Sequence, residues 1–303
     1  MNIVGIDQAI LGLEEMTDAR RFLRDFGLGE TETGQTGAVF EALDGSQVVL
    51  RAASDTTLPM PVGGAVGIRE TIWGVKSRDD LDRIGAELSR DRQVALGPDS
   101  VLRAVDDSGF SIGFRVTKRH AFEARAALVN AAGLPPQRAP DTRIDFSAPH
   151  RARSMGHIVF WVPDVVAARS FYTSRLGFRL TDSFKNGSCF MRAAGSNDHH
   201  NLFLIKRENA PAALHHIEFH FTDFNEVMMG GKRMSEKGWQ TQNGPGRHTL
   251  GSNYFWYFKS PCGGAFELAA DMDYVTDAWQ PGEWDYRPEI VAAWSTTFTL
   301  PAQ

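Results

Sequence analysis

Cysteine, long apolar runs and a surplus of basic charge are what this chain lacks. Only Cys189 and Cys262 occur in 303 residues. Two cysteines are too few for a disulfide framework and have no paired metal-ligand spacing, so both read as free thiols. No stretch approaches the roughly 18 consecutive apolar residues of a membrane span, and the opening residues show no basic segment followed by an apolar core. A cytoplasmic protein without a membrane partner is expected. Lysine and arginine total 32 against 37 acidic residues, a net charge of −5, which argues against a nucleic-acid partner. What remains, 42% apolar and 23% charged, is ordinary globular composition with room for about two domains.

The most informative stretch is a hairpin near the C-terminus. Asn253–Phe258 is aromatic and strand-like, Ser260-Pro261-Cys262-Gly263-Gly264 is a turn, and the returning apolar run carries Glu267 between Phe266 and Leu268. A carboxylate there is exposed, paired or bound to a cation, because burying it uncompensated costs several kcal/mol, roughly. Two more strand-like runs hold histidines among apolar neighbours: His157 in Met155–Trp161, and His215 and His216 in Leu214–Phe219. Two histidines and a carboxylate from separate strands are the ingredients of the facial triad that holds Fe(II) with positions left open. Period two places His215 and His216 on opposite faces, so one of the pair reaches such a centre.

The chain also repeats itself. A strand at Ile3–Leu13 and a helix with Met16, Ala19, Phe22, Leu23 and Phe26, stopped by Gly27, return 150 residues later as His157–Trp161 and a helix stopped by Gly177. Ile68–Trp73 with Asp79–Leu88 likewise matches Leu214–Phe219 with Phe224–Lys237. Four strand-helix modules result, two per half. The N-terminal counterparts of His157, His216 and Glu267 are Asp7, Glu70 and Gly113, so that half is expected to bind no metal and to act as scaffold. A linker rich in proline and charge begins at Gly133, which suggests a scaffold domain over 1–140, a catalytic domain over 141–275 and a tail over 276–303. Trp279, Trp284 and Trp294 in the tail carry more apolar area than is left in water without a reason, so the tail packs over a domain or forms a lid.

The run Gly246-x-His248-x8-Tyr257-x2-Ser260-Pro261-x-Gly263-x3-Glu267 resembles the signature of type I extradiol ring-cleavage dioxygenases of the vicinal oxygen chelate superfamily. The resemblance extends from about Met155 to Asp273 and more weakly into the first half. Ser260 stands where that family usually has an acidic or amide residue, and serine also caps a turn. The resemblance implies an α+β fold of two domains, each of paired βαβββ modules forming an incomplete barrel. It implies His157, His216 and Glu267 as metal ligands, selecting His216 over His215, and Fe(II) as cofactor with Mn(II) as the alternative. His200, chosen over His199 for its His200-Asn201-Leu202 context, matches a histidine beside the dioxygen position. His248 and Tyr257 match the groups that hydrogen-bond the ring oxygens of the substrate. The implied partners are a small aromatic diol and O2, and homo-oligomers are expected from the family.

Substrate contacts are expected from Val159, on the same strand face as His157, and from Met191 and Phe203 by alignment. Glu218, two residues after His216, is a candidate for accepting a substrate proton or hydroxyl, or else pairs locally. Arg287 is a candidate clamp for an anionic side group. Two rivals stand beside the dioxygenase. A glyoxalase-like isomerase or transferase of the same superfamily would recruit a second carboxylate such as Glu70, and a protein that merely sequesters an aromatic ligand would need no metal.

Overall fold

The structure is a computed structural model in which residues 1–63, 67–124 and 128–300 are described, so the last three residues of the 276–303 tail lie outside the described residues. Each half is two βαβββ modules. The first comprises β1 (Ile3–Leu13), α1 (Thr17–Asp25), β2 (Gly29–Thr33), β3 (Gly37–Glu41) and β4 (Gln47–Ala52). The second comprises β5 (Gly67–Val75), α2 (Arg78–Leu88), β6 (Ala95–Leu96), β7 (Leu102–Val105) and β8 (Ser111–Val116). In the C-terminal half, β9 (Ser154–Val162), α3 (Val165–Ser170), β10 (Arg179–Phe184), β11 (Cys189–Arg192) and β12 (Leu202–Lys206) form the third module. The fourth is β13 (Ala213–His220), α4 (Phe224–Glu236), β14 (Thr241–His248), β15 (Tyr254–Lys259) and β16 (Ala265–Ala270).

Local chemistry sets these boundaries. Side-chain caps from Ser77, Asp164 and Asp223 accept backbone N–H groups at the starts of α2, α3 and α4. Gly27 and Gly177, the two stops matched by the repeat, both have left-handed backbone, with φ of 102° and 76°. The two halves then build one sheet plan twice: β2-β3-β4-β1-β5-β8-β7-β6 and β10-β11-β12-β9-β13-β16-β15-β14. In each, the long first strands of the two modules pair antiparallel at the centre and each pairs parallel with the last strand of its module. Both sheets are mixed and remain open, as the incomplete-barrel expectation requires.

One apolar core joins the halves. Phe22 of α1 and Phe26, just past its end, meet Phe266 and Phe219 of the C-terminal sheet edge-on at 5.4 and 5.7 Å between ring centroids. Trp73 meets Phe178 in the same way at 5.0 Å. Each fully buried phenylalanine contributes about 1.5–3 kcal/mol relative to exposure.

The tail adds a strand at each end of the second sheet: β17 (Gly282–Trp284) beside β10 and β18 (Ala292–Ser295) beside β14. Its three tryptophans are only partly covered by that packing. Trp279, Trp284 and Trp294 stay 38%, 38% and 45% exposed. The first two are held by their indole N–H groups, on the Thr181 carbonyl and the Asp182 carboxylate, while Tyr286, Ile290 and Val291 supply the apolar packing.

Candidate functional site

The antiparallel pair β9/β13 and the parallel pair β13/β16 bring three strands side by side at the centre of the second sheet. Glu218 on β13 lies opposite His157 on one side and Glu267 on the other, with His216 two residues earlier on the same face. Their tips converge. His157 Nε2 and His216 Nε2 are 3.0 Å apart, and Glu267 Oε2 lies 3.3 Å from the first and 3.2 Å from the second. All three side chains are buried, and together they form a group that could hold a metal ion.

That triangle fits a divalent ion. Nitrogen and oxygen ligands bind such ions at about 2.0–2.2 Å, and donors on three adjacent octahedral corners then stand roughly 3 Å apart. The donor set agrees. Glu267 Oε2 has no aligned hydrogen bond despite complete burial. Burial alone would raise the Glu267 carboxyl, but the adjoining imidazoles of His157, His216 and His248 hold it well below its usual value. Burial also pushes His216 down to about 4, so its ring is neutral at physiological pH with a lone pair to offer. Asn253 steadies the other carboxylate oxygen through its side-chain amide, 3.3 Å from Glu267 Oε1.

A cavity opens over these donors, lined by His157, His216, His200, His248, Tyr257 and the apolar side chains of Phe190, Phe203, Ile205 and Leu250, with Tyr286, Val291 and Phe298 of the tail. Phe190 and Phe203 stack at 3.9 Å with 10° between their planes. His248 Nδ1 lies 2.9 Å from the Val291 carbonyl and Nε2 lies 3.0 Å from the Tyr257 hydroxyl. The carbonyl only accepts, so Nδ1 carries the proton and Tyr257 donates to Nε2. Burial, and next the Glu267 charge, push the Tyr257 phenol well above its usual pKa, which keeps it a donor. Burial, followed by the neighbouring His157 and His199, pushes His200 well below its ordinary value.

Four expected substrate contacts stand elsewhere. Val159 is packed behind the cavity wall among Phe184, Phe203 and Leu250. Met191 faces the main core, because β11 presents Phe190 to the cavity and its neighbour Met191 to the opposite side. Glu218 is on the ligand face but lies behind His157, with Oε2 3.3 Å from His157 Nδ1 and Oε1 3.1 Å from His220 Nδ1. Arg287 is exposed beside Asp285, away from the cavity that its neighbour Tyr286 enters. Of the five residues, Phe203 lines the cavity.

Strand periodicity also missed His215. A bulge between Leu214 and His216 breaks the alternation, and His215 lines the cavity beside His216 instead of facing away. Asp182 gave no sequence signal, yet its carboxylate accepts from His199 Nε2 at 2.8 Å.

Residues 154–268 match the family model described as Glyoxalase/Bleomycin resistance protein/Dioxygenase superfamily. The chain is 29% identical over 290 residues to Metapyrocatechase 2 of Cupriavidus necator, covering 92% of this chain and 85% of that protein. The Mn(II)-bound glyoxalase from Novosphingobium aromaticivorans shares the fold at a TM-score of 0.78 and 22% identity, covering 100% of this chain and 95% of that one. Homoprotocatechuate 2,3-dioxygenase from Arthrobacter globiformis does so at 0.75 and 18%, covering 98% and 89%. These matches support the resemblance to extradiol dioxygenases of the vicinal oxygen chelate superfamily, with residues 154–268 fitting the superfamily's model.

Proposed function

We propose that the protein is a metal-dependent extradiol dioxygenase that opens a catecholic ring beside its two hydroxyls and retains both atoms of O2. The observation that carries this reading is the meeting, on one cavity, of three converging metal-donor atoms with His200, His248 and Tyr257. An isomerase has no need of that second trio, and its candidate extra carboxylate, Glu70, is paired with Arg103 in the other half. A sequestering protein has no need of the buried donor triangle.

His157, His216 and Glu267 would hold the ion, Fe(II) in this reading, with Mn(II) the alternative. A bound divalent ion supplies Lewis acidity for a chelated diol and an open position for O2. The side chains of the chain do the rest. His248, with its Nε2 lone pair fixed by the Val291 carbonyl, is placed to take a diol proton, and Tyr257 to donate to a ring oxygen. His200 stands against His157, 4.2 Å between ring centroids, where, once it has taken a proton, its N–H can donate toward charge developing on oxygen. Residues 141–275 form the catalytic domain, 1–140 the scaffold, and 276–303 a lid whose Tyr286, Val291 and Phe298 close the cavity. The apolar walls and the remote Arg287 favour alkyl- or aryl-substituted catechols over carboxylated ones.

The test is anaerobic reconstitution with Fe(II) or Mn(II), then oxygen uptake with a panel of catechols and isotopic analysis of the ring-opened product. Uptake with both labelled oxygens retained, and the highest kcat/KM for apolar substituents, is expected. Absence of uptake with either ion overturns the activity. A carboxylated catechol that is the best substrate and loses about tenfold, roughly 1.4 kcal/mol, on Arg287→Ala overturns the apolar pocket.

A further inference from the structure

His199 is entirely buried and both its ring nitrogens are engaged. Nε2 lies 2.8 Å from Asp182 Oδ2, and Nδ1 lies 3.1 Å from His200 Nδ1. The other oxygen of Asp182 accepts the Gly282 backbone N–H at 2.8 Å and the Trp284 indole N–H at 2.9 Å. Phe190 packs against both imidazoles, and the Trp279 ring meets His199 edge-on. Asp182 and His200 are buried too, so the three groups must satisfy one another.

With His199 neutral, donor counting then sets the protons. A carboxylate only accepts, so His199 carries its proton on Nε2. A neutral His199 leaves Nδ1 as a lone pair, and His200 must donate to it from Nδ1. The one remaining ring nitrogen of His200, Nε2, is left without a proton. We propose that Asp182 and His199 are positioning residues that hold His200 in the tautomer whose Nε2 lone pair is free to take a proton from the bound substrate. This rests on the extradiol reading for its consequence in turnover, but the tautomer itself does not. It also places the tail in the relay, because Gly282 and Trp284 hold the Asp182 carboxylate from the side opposite His199.

Asp182→Asn is the informative change. Asn keeps an oxygen for Gly282 and Trp284 but turns an amide N–H toward His199, which must then move its proton to Nδ1 and reverse the His200 tautomer. In full-length protein with 15N-labelled histidine and no paramagnetic ion, wild-type His200 is expected to show a protonated Nδ1 and a bare Nε2, and Asp182→Asn the reverse. In the reconstituted enzyme the variant should keep its metal and KM while kcat falls on the order of 10²-fold, the lower end of general acid–base effects. In a His200→Asn background the same change should alter kcat by less than about twofold, the non-additivity of residues acting through one group. A wild-type His200 protonated on Nε2, as a cationic His199 would impose, overturns the proposal. So does an Asp182→Asn loss equal in size with and without the His200 imidazole. The wild-type nitrogen spectrum needs no variant, so a misfolded Asp182→Asn does not spare the proposal. If wild type opens no catechol the functional reading fails, and that spectrum still decides the tautomer.

Discussion

The two halves build the same sheet and finish its centre in opposite ways. In the N-terminal half Asp7 accepts from Arg115 and Thr117, both at 2.8 Å, and from the Lys118 backbone N–H at 3.2 Å. Glu70 accepts from Arg103 at 3.0 Å and Ser111 at 3.2 Å. At the third position stands Gly113, where a Cβ would meet Val101 Cγ1 at 2.7 Å, so no longer side chain fits. In the C-terminal half the matching register holds His157, His216 and Glu267, and Glu267 Oε2 and His157 Nδ1 lack aligned partners. A buried carboxylate needs a counter-charge. The N-terminal half provides it from arginine, and in the C-terminal half the proposed ion would supply it. What separates a salt bridge from a metal site on this frame is whether the chain supplies the cation itself.

The largest effect should come from removing either solution. His157→Ala, His216→Ala and Glu267→Gln should each abolish stoichiometric metal and turnover, because each deletes one of three protein donors. Asp7→Ala and Glu70→Ala should retain one equivalent of metal. Asp7→Ala leaves Arg115 buried and unpaired and should cost about 3–5 kcal/mol in urea unfolding. Metal analysis decides the matter: a full equivalent after Glu267→Gln, or loss of metal after Glu70→Ala, would place the centre in the wrong half.

A second contrast lies in the turns that precede the last strand of each half. Ser260 Oγ accepts the Cys262 N–H in one, and in the other Asp106 accepts the N–H groups of Ser108 and Phe110 and the Tyr172 hydroxyl across the join between halves. Burial outweighs those hydrogen bonds and raises the Asp106 carboxyl from 3.8 to about 6. Between these values the folded state keeps a proton that the unfolded chain has released. Stability from this group is therefore complete below pH 4 and lost as pH rises through about 6. Relative to Asp106→Asn, which has no such proton, wild type should lose roughly 3 kcal/mol across that window, at 1.36 kcal/mol per pKa unit. Parallel pH–stability curves for the two proteins would remove Asp106 from the account.

Much of this was legible because it rests on short-range rules. Apolar periods and glycine stops located the repeated strands and helices, and residue type drew attention to His157, His216 and Glu267. The misplaced residues failed at longer range. A bulge at Leu214/His216 turned His215 inward, and only the backbone shows a bulge. Phe190 and Met191 differ by one position, which no loose alignment fixes and which exchanges cavity for core. Glu218 was on the expected face, but a face does not say which neighbour a side chain reaches. Asp182 lies 17 residues before its partner His199 and is tied to a tail 100 residues further on, a relation without local pattern.

Glu218 offers the finest test of the contrast, since the ladder that matches Glu267 with Gly113 also matches Glu218 with Ile72. The carboxylate behind the first histidine thus exists only in the half with the donor triangle. It is wholly buried, lies 3.3 Å from His157 Nδ1, and shares its other oxygen with His220 at 3.1 Å. A carboxylate on the far nitrogen of a ligating imidazole fixes the ring and raises its basicity, and losing such a partner typically costs 10–100-fold in metal affinity. Glu218→Gln keeps the volume and one acceptor, so its effect should sit near the lower bound, about tenfold or 1.4 kcal/mol, in competition with a chelator. Ile72→Val, the matching change in the scaffold half, should leave that affinity as it is. Equal affinities for wild type and Glu218→Gln would mean that burial and packing alone hold His157, and that Glu218 serves His220 instead.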